Sequence, residues 1–140
     1  MKSIEDIQSE IAEEFAVYDE WLDKYEYLID LGRELPLAPE GDKTDANLIE
    51  GCQSRVWLTC TRDADGRLHF AADSDAIITK GLISLLVRVF DSQMPRDILD
   101  ADLHFIDDIG LKENLSPTRA GGLAAMIKRI RDYAAANLEG

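Results

Sequence analysis

One stretch of strict alternation constrains this chain more than any other. Val56, Leu58 and Cys60 alternate with Trp57, Thr59 and Thr61, and after Asp63-Ala64-Asp65-Gly66 the alternation resumes with Leu68, Phe70 and Ala72. A period of two marks strands that are buried on one face, and a short polar link ending in glycine marks a hairpin turn in which Gly66 takes positive φ. The apolar set therefore shares one face, and His69 falls on the other. Leu48 and Ile49, just upstream, are expected to add a short further strand, which makes a sheet of about three strands.

On either side of the hairpin the apolar period is helical. Ser3 and Asp6 suit a helix start, followed by Ile4, Ile7, Ile11 and Phe15 as one stripe. Asp19 is expected to cap a second helix, with Trp21, Leu22, Tyr25, Leu28 and Ile29 facing the core and Gly32 as a left-handed stop. The segment from Arg33 to Asn47, with Pro36, Pro39 and Gly41, predicts a loop long enough to be functional or mobile. Beyond the hairpin, Ser74 or Asp75 is expected to cap a long buried helix carrying Ile77, Ile78, Leu82, Leu85, Leu86 and Val89. Gly81 inside that helix costs about 1 kcal/mol against alanine, which points to close approach of another backbone. Pro95 opens a short helical turn, and Leu103 to Ile109 form a short piece that Gly110 ends. Ser116-Pro117 starts a last helix through Leu123, Met126, Ile127, Ile130 and Tyr133, with Lys128, Arg129 and Arg131 in its later turns. Strands segregated from helices in this way predict an α+β fold with helices packed on one face of a small antiparallel sheet, in a single domain over residues 1–140.

Charge narrows the function. Twenty-eight acids against 15 Lys and Arg leave a net charge of −13, which repels phosphate backbones and excludes a nucleic-acid partner. No apolar run reaches the roughly 18 residues that span a bilayer, so no membrane partner is expected. The opening MKSIEDIQSE lacks the apolar region of a leader, so the expected location is cytoplasmic, where thiols stay reduced.

Gly51-Cys52-Gln53-Ser54 is the stretch with candidate chemistry. Its thiol has polar neighbours, follows the long loop and sits beside a glycine that lets the backbone bend. Arg55, with Lys80 and Arg119 at the starts of two helices, would favour the thiolate if they lie close. Metal and cluster ligation fail on count, because the two cysteines stand eight positions apart and the only histidines are His69 and His104. Cys60 alternates with core positions and reads as a small buried hydrophobe. A Cys52–Cys60 disulfide is disfavoured by the compartment. A cysteine-dependent hydrolase or redox enzyme would need His69 to reach Cys52, and that alternative stays open.

Three blocks carry a resemblance. Gly51-Cys52-Gln53-Ser54-Arg55-Val56-Trp57 resembles the G-C-Q-S-x-V-W signature of the SufE family of cysteine-desulfurase activators, which includes the CsdE proteins. The run from Asp73 to Leu82 is similar to the family's D-S-D-A-x-I-x-K-G-L, and that from Leu115 to Leu123 to its L-[ST]-P-x-R-x-x-G-L. Arg55 stands where relatives often have glutamine. The likeness runs from about Trp21 to Tyr133 and implies a SufE/NifU-like fold. It implies that Cys52 takes persulfide sulfur from a pyridoxal-phosphate-dependent desulfurase of the SufS/CsdA kind, stimulates it and relays sulfur to an iron–sulfur scaffold or another carrier. The pyridoxal phosphate belongs to the desulfurase, so no cofactor is expected on this chain. The resemblance also implies that the cysteine loop is tucked away at rest, with Asp75 and Arg119 shaping its resting or transferring state.

Overall fold

The computed structural model describes residues 2–35 and 38–138, so Pro36 of the expected loop lies outside the described residues. Helices α1 (Ile4–Ala16) and α2 (Trp21–Arg33) precede strands β1 (Val56–Arg62) and β2 (Leu68–Ser74). Helices α3 (Ile77–Phe90), α4 (Pro95–Asp100), α5 (Phe105–Asp108), α6 (Leu111–Asn114) and α7 (Pro117–Ala136) follow. The fold is α+β, as expected.

The sheet has two antiparallel strands, with Val56 opposite Ser74 and Arg62 opposite Leu68. The expected third strand is reduced to one bridge between Leu48 and Trp57, and the Ile49 N–H donates to the Val56 carbonyl at 2.8 Å. Gly51, at φ +94°, turns the chain away before pairing can continue. Val56, Leu58, Leu68, Phe70 and Ala72 are buried on the covered face, where the Phe70 and Tyr133 rings meet at 6.5 Å. On the open face His69 Nε2 meets Asp63 at 2.7 Å and Nδ1 lies 3.3 Å from the Ser92 hydroxyl, which pins the hairpin tip to the chain leaving α3.

Helix α3 is the hub and touches α1, α2, β2 and α7. Eleven of its 14 residues are buried. At its centre Gly81 meets α2: a Cβ there would lie 2.5 Å from the Leu28 carbonyl oxygen, and one on Gly32 would lie 2.8 Å from the Gly81 nitrogen. Gly32 is therefore an ordinary helical residue chosen for close approach, not the expected left-handed stop. Two expected caps also move. The N-cap of α2 is Glu20 rather than Asp19, and that of α3 is Ala76, because the Asp75 carboxylate is turned to the Arg55 N–H instead. Leu22 and Ile77, read as core, are 69% and 65% exposed on the first turns of α2 and α3. Trp21 and Tyr25 are half-buried with their rings 5.9 Å apart, at the edge of the core and not in it.

Other sequence signals act as read. Ser3 and Asp6 form a reciprocal capping box, and Ser116 accepts from the Arg119 N–H ahead of Pro117. Gln8 is a buried staple that donates to the Asp102 carbonyl at 2.9 Å and accepts from the Phe105 N–H at 3.0 Å, tying α1 to the start of α5.

The glycine crossing gives a direct test. Gly81→Ala should cost about 3 kcal/mol in urea unfolding, because the new methyl meets backbone that cannot yield. Gly121→Ala, whose methyl meets nothing within 4 Å, should leave stability unchanged or raise it by about 0.5 kcal/mol. Equal effects at both positions would contradict the crossing. A second test uses the histidines. Asp63 and Asp91 hold the His69 imidazole charged above the usual range, and Asp108 and Glu5 do the same for His104. A raised folded value means stabilisation that is complete below about pH 6.5 and is lost as pH rises through the folded values. The urea midpoint should therefore drift down across that rise in the native chain and less in His69→Gln/His104→Gln; identical drifts would refute the assignment.

Candidate functional site

The Cys52 loop is turned at Gly51 and hydrogen-bonded at its downstream end. Gly51 adopts positive φ with its Cα face 3.2 Å, measured to a notional Cβ, from the Ala125 methyl of α7. Downstream, Arg55 and Asp75 bond reciprocally: the Arg55 N–H donates to the Asp75 carboxylate at 3.0 Å, and the Asp75 N–H donates to the Arg55 carbonyl at 3.2 Å. The Ser74 hydroxyl donates to the same carbonyl at 2.8 Å. Between these ends the Cys52 thiol points inward and donates to the Gly122 carbonyl of α7 at 3.5 Å. A Cβ on Gly122 would lie 3.5 Å from the sulfur, an ordinary van der Waals contact, so the thiol sits directly against this turn of α7.

The loop before it is built rather than loose. The Ala38 N–H donates to the Ala72 carbonyl at 3.1 Å, Lys43 pairs with Asp73 at 2.6 Å, and Arg129 donates to the Ala46 carbonyl at 2.7 Å. These contacts strap residues 38–47 to β2 and α7, and they bring the chain to Gly51 from a fixed direction.

Cys52, Gln53 and Ser54 line a cavity of about 130 Å³ with Ala76, Thr79, Leu82, Thr118, Arg119, Gly122 and Met126. Small-molecule sites usually enclose about 300–1,000 Å³, so this space suits a few atoms and not a metabolite. A larger cavity of about 420 Å³ lies between α2 and the second half of α3, lined by Leu31, Leu35, Ser84 and Arg88, and does not include the thiol. Burial pushes the Cys52 thiol up from its ordinary value, which disfavours the nucleophilic thiolate while the sulfur is tucked. Cys60, half-buried behind the sheet, is pushed up to about 11 by burial and then by Asp91, and is inert.

The expected site residues separate into groups. Cys52, Gln53, Ser54 and Arg119 share the cavity, and Gly51 and Asp75 hold the loop's ends. Lys80 does not face the thiol. It shares the 7% exposed Asp73 carboxylate with Lys43, at 3.3 Å and 2.6 Å. The Arg119 guanidinium donates to the Tyr25 hydroxyl and lies 5.9 Å from that ring's centre. The expected favouring of the thiolate is thus not assembled at rest. Nor is a Cys–His pair: His69 sits five residues from the Ser74 end of β2, roughly 17 Å along the strand, with both ring nitrogens engaged. Gly122 and Tyr25 were missed. Tyr25 carried a signal of the wrong kind, an aromatic at core spacing, and Gly122 carried one in the unusual Gly121-Gly122 pair inside a helix.

The three sequence blocks, distant along the chain, each supply three residues of one cavity: Cys52, Gln53 and Ser54; Ala76, Thr79 and Leu82; Thr118, Arg119 and Gly122. A family model described as "SufE: Fe-S metabolism associated domain" matches residues 9–134. The chain belongs to the SufE family. An uncharacterized SufE-like protein of Rhizobium meliloti (strain 1021) is 42% identical over 133 residues, which covers 92% of this chain and 95% of that one. The solution structure of a hypothetical protein from Thermus thermophilus covers 96% of this chain and 97% of its own, with a TM-score of 0.77 at 20% identity, and so shares the fold. Among the described residues of this SufE-family chain, no helix is long and apolar enough to cross a membrane.

Asp75→Ala removes one closure of the loop. Alkylation of Cys52 by iodoacetamide at pH 7.5, followed by intact mass, should speed up roughly tenfold, the effect of one lost charge-assisted hydrogen bond. In the native chain the alkylation profile should lie at higher pH than in the urea-unfolded chain. Coincident profiles would contradict the closed loop.

Proposed function

We propose that Cys52 accepts persulfide sulfur from a pyridoxal-phosphate-dependent cysteine desulfurase and relays it toward iron–sulfur cluster assembly. Membership of a family associated with Fe–S metabolism supports this reading. The observation that carries it is a single thiol, on a loop closed by a few hydrogen bonds, in a cavity to which all three blocks contribute.

The chemistry needs little else. The loop opens, Cys52 reaches water or the partner's surface, and burial no longer suppresses its ionisation. The thiolate then attacks the outer sulfur of the desulfurase persulfide. A new S–S bond forms on Cys52, the S–S bond on the desulfurase breaks, and the desulfurase sulfur leaves with the electron pair as a thiolate. One disulfide-type bond replaces another, so no outside oxidant or reductant enters. Clearing the persulfide frees the desulfurase for its next turnover, and this is how the chain stimulates it without handling the cofactor. Closing the loop again shields a sulfur that oxidants would otherwise consume. The downstream acceptor is a cluster scaffold or another carrier, and a reducing cytoplasm is the compartment that fits a free thiol.

Incubation with a cysteine desulfurase and free cysteine should add one sulfur atom to the intact mass. Dithiothreitol should remove it, and Cys52→Ala should abolish it while Cys60→Ala does not. An adduct that persists in Cys52→Ala would overturn the assignment. His69→Gln should load as the native chain does; loss of loading there would favour the cysteine–histidine enzyme.

A further inference from the structure

Three residues of the sequence blocks, Trp57, Asp73 and Lys80, take no part in the Cys52 cavity and meet instead around Lys43. Trp57 and Asp73 stand opposite each other across the hairpin. The Lys43 ammonium lies 2.6 Å from the Asp73 carboxylate, 2.7 Å from that of Glu40 and 5.6 Å from the centre of the Trp57 ring. Lys80 reaches the same Asp73 carboxylate at 3.3 Å. Among the described residues, Asp73 is the one charged side chain that is buried. Burial pushes its carboxyl up, but Lys43, the Ser74 N–H and Lys80 outweigh this and hold it below its ordinary value. A charge so placed is costly unless its partners stay with it. The segment that supplies Lys43 is tied to β2 twice, through the Ala38 N–H to the Ala72 carbonyl and through Lys43 to Asp73.

This junction stands at the base of the cysteine loop. Trp57 bridges Leu48, and the Ile49 N–H donates to the Val56 carbonyl at 2.8 Å, so residues 50–55 form a loop of six with its two ends joined. Cys52 is the third residue from the Ile49 end. With that base fixed, an opening loop carries the thiol no more than about 10 Å from it, the span of three extended residues. If the base gave way as far as Ala38, 18 residues would move in place of six. The effective concentration of the thiol at any one point would then fall roughly fivefold, by the −3/2 power of loop length.

Resting on the acceptor reading above, we propose that the Lys43–Asp73–Lys80 junction beside Trp57 is the fixed base from which the cysteine loop opens, and that Lys43 and Asp73 are positioning residues for sulfur transfer. Neither lines the Cys52 cavity. They act through the loop, keeping the travel of Cys52 short so that its thiolate arrives where a docked desulfurase presents its persulfide. Lys80 serves the thiol in the same indirect way, by holding the acid that holds Lys43.

The test separates transfer from docking and from folding. A desulfurase charged with sulfur by free cysteine is mixed with excess chain over a range of concentrations, quenched at intervals and followed by intact mass. Lys43→Met keeps the apolar stem of the side chain and removes its charge. Its maximal loading rate should fall about two- to fivefold with the half-saturating concentration unchanged, and Lys43→Arg should restore the rate. In hydrogen exchange of the isolated chain, the Ile49 amide should open about threefold faster in Lys43→Met, while that of Leu86 in α3 keeps its native rate. An unchanged maximal rate overturns the inference. So does a raised half-saturating concentration with the maximal rate intact, which would make the junction a docking contact. An equal loss in Lys43→Arg, or equal acceleration of the Ile49 and Leu86 amides, would reduce it to general stability and overturn the inference as well. A native chain that takes up no sulfur overturns the acceptor reading, and this inference falls with it; an unaltered Ile49 amide in a chain that loads normally overturns the fixed base alone.

Discussion

The backbone crossing of α2 and α3 at Gly32 and Gly81 is the contact on which the rest of the molecule depends. With no side chain at either position, the two helices approach until a methyl group would strike the Leu28 carbonyl. That approach lets α3 sit inside the molecule, with α1, α2, α7 and β2 packed against it. Its apolar side chains then serve several faces at once, which explains why Leu82, Ile83, Leu85, Leu86, Val89 and Phe90 are all buried at 1% exposure or less. Burying so much surface on one helix offsets the weak intrinsic stability of a two-stranded sheet.

The same placement builds the reactive end. With α3 fixed, its first turn and the preceding Asp73-Ser74-Asp75 segment have only one position beside the end of β1. Ala76, Thr79 and Leu82 become one wall of the cavity, and Asp75 becomes the clasp for Arg55. The start of α7, set by the Ser116 cap and Pro117, supplies the opposite wall and the carbonyl that receives the thiol. In this arrangement burial raises the Cys52 thiol above its ordinary value, and the proposed transfer requires the loop to open and relieve that burial. The loop itself is held by the Arg55–Asp75 pair, the Ser74 hydroxyl and one weak S–H bond, all outside the buried core.

Much of this was legible in the residues. Alternation identified the hairpin and its buried face, Ser116-Pro117 placed α7, and Gly81 pointed to a backbone contact because glycine in a helix interior costs about 1 kcal/mol. Where the reading failed, long-range partners had overruled local signals. Gly32 looks like a helix stop until Gly81 is opposite it, and Asp75 looks like a helix cap until Arg55 is within reach. Lys80 was expected at the thiol because a helix start is a good place for it, yet Asp73, buried and doubly paired, claims its charge. Tyr25 shows the same limit: helical spacing cannot separate an aromatic in the core from one that holds an arginine at a cavity's edge. Cys52 itself was found by its polar neighbours and by the family pattern, but the carbonyl that receives its thiol, at Gly122, lies 70 residues away.

If Cys52 accepts sulfur as proposed, this chain speeds a desulfurase by taking sulfur from it, and not by docking alone. The most direct measurement is the rate of alanine formation from cysteine by the desulfurase, titrated with the native chain and with Cys52→Ser. The rate should rise several-fold and saturate with the native chain and show no rise with Cys52→Ser, although both bind. Equal stimulation by the two, or none by either, would contradict it.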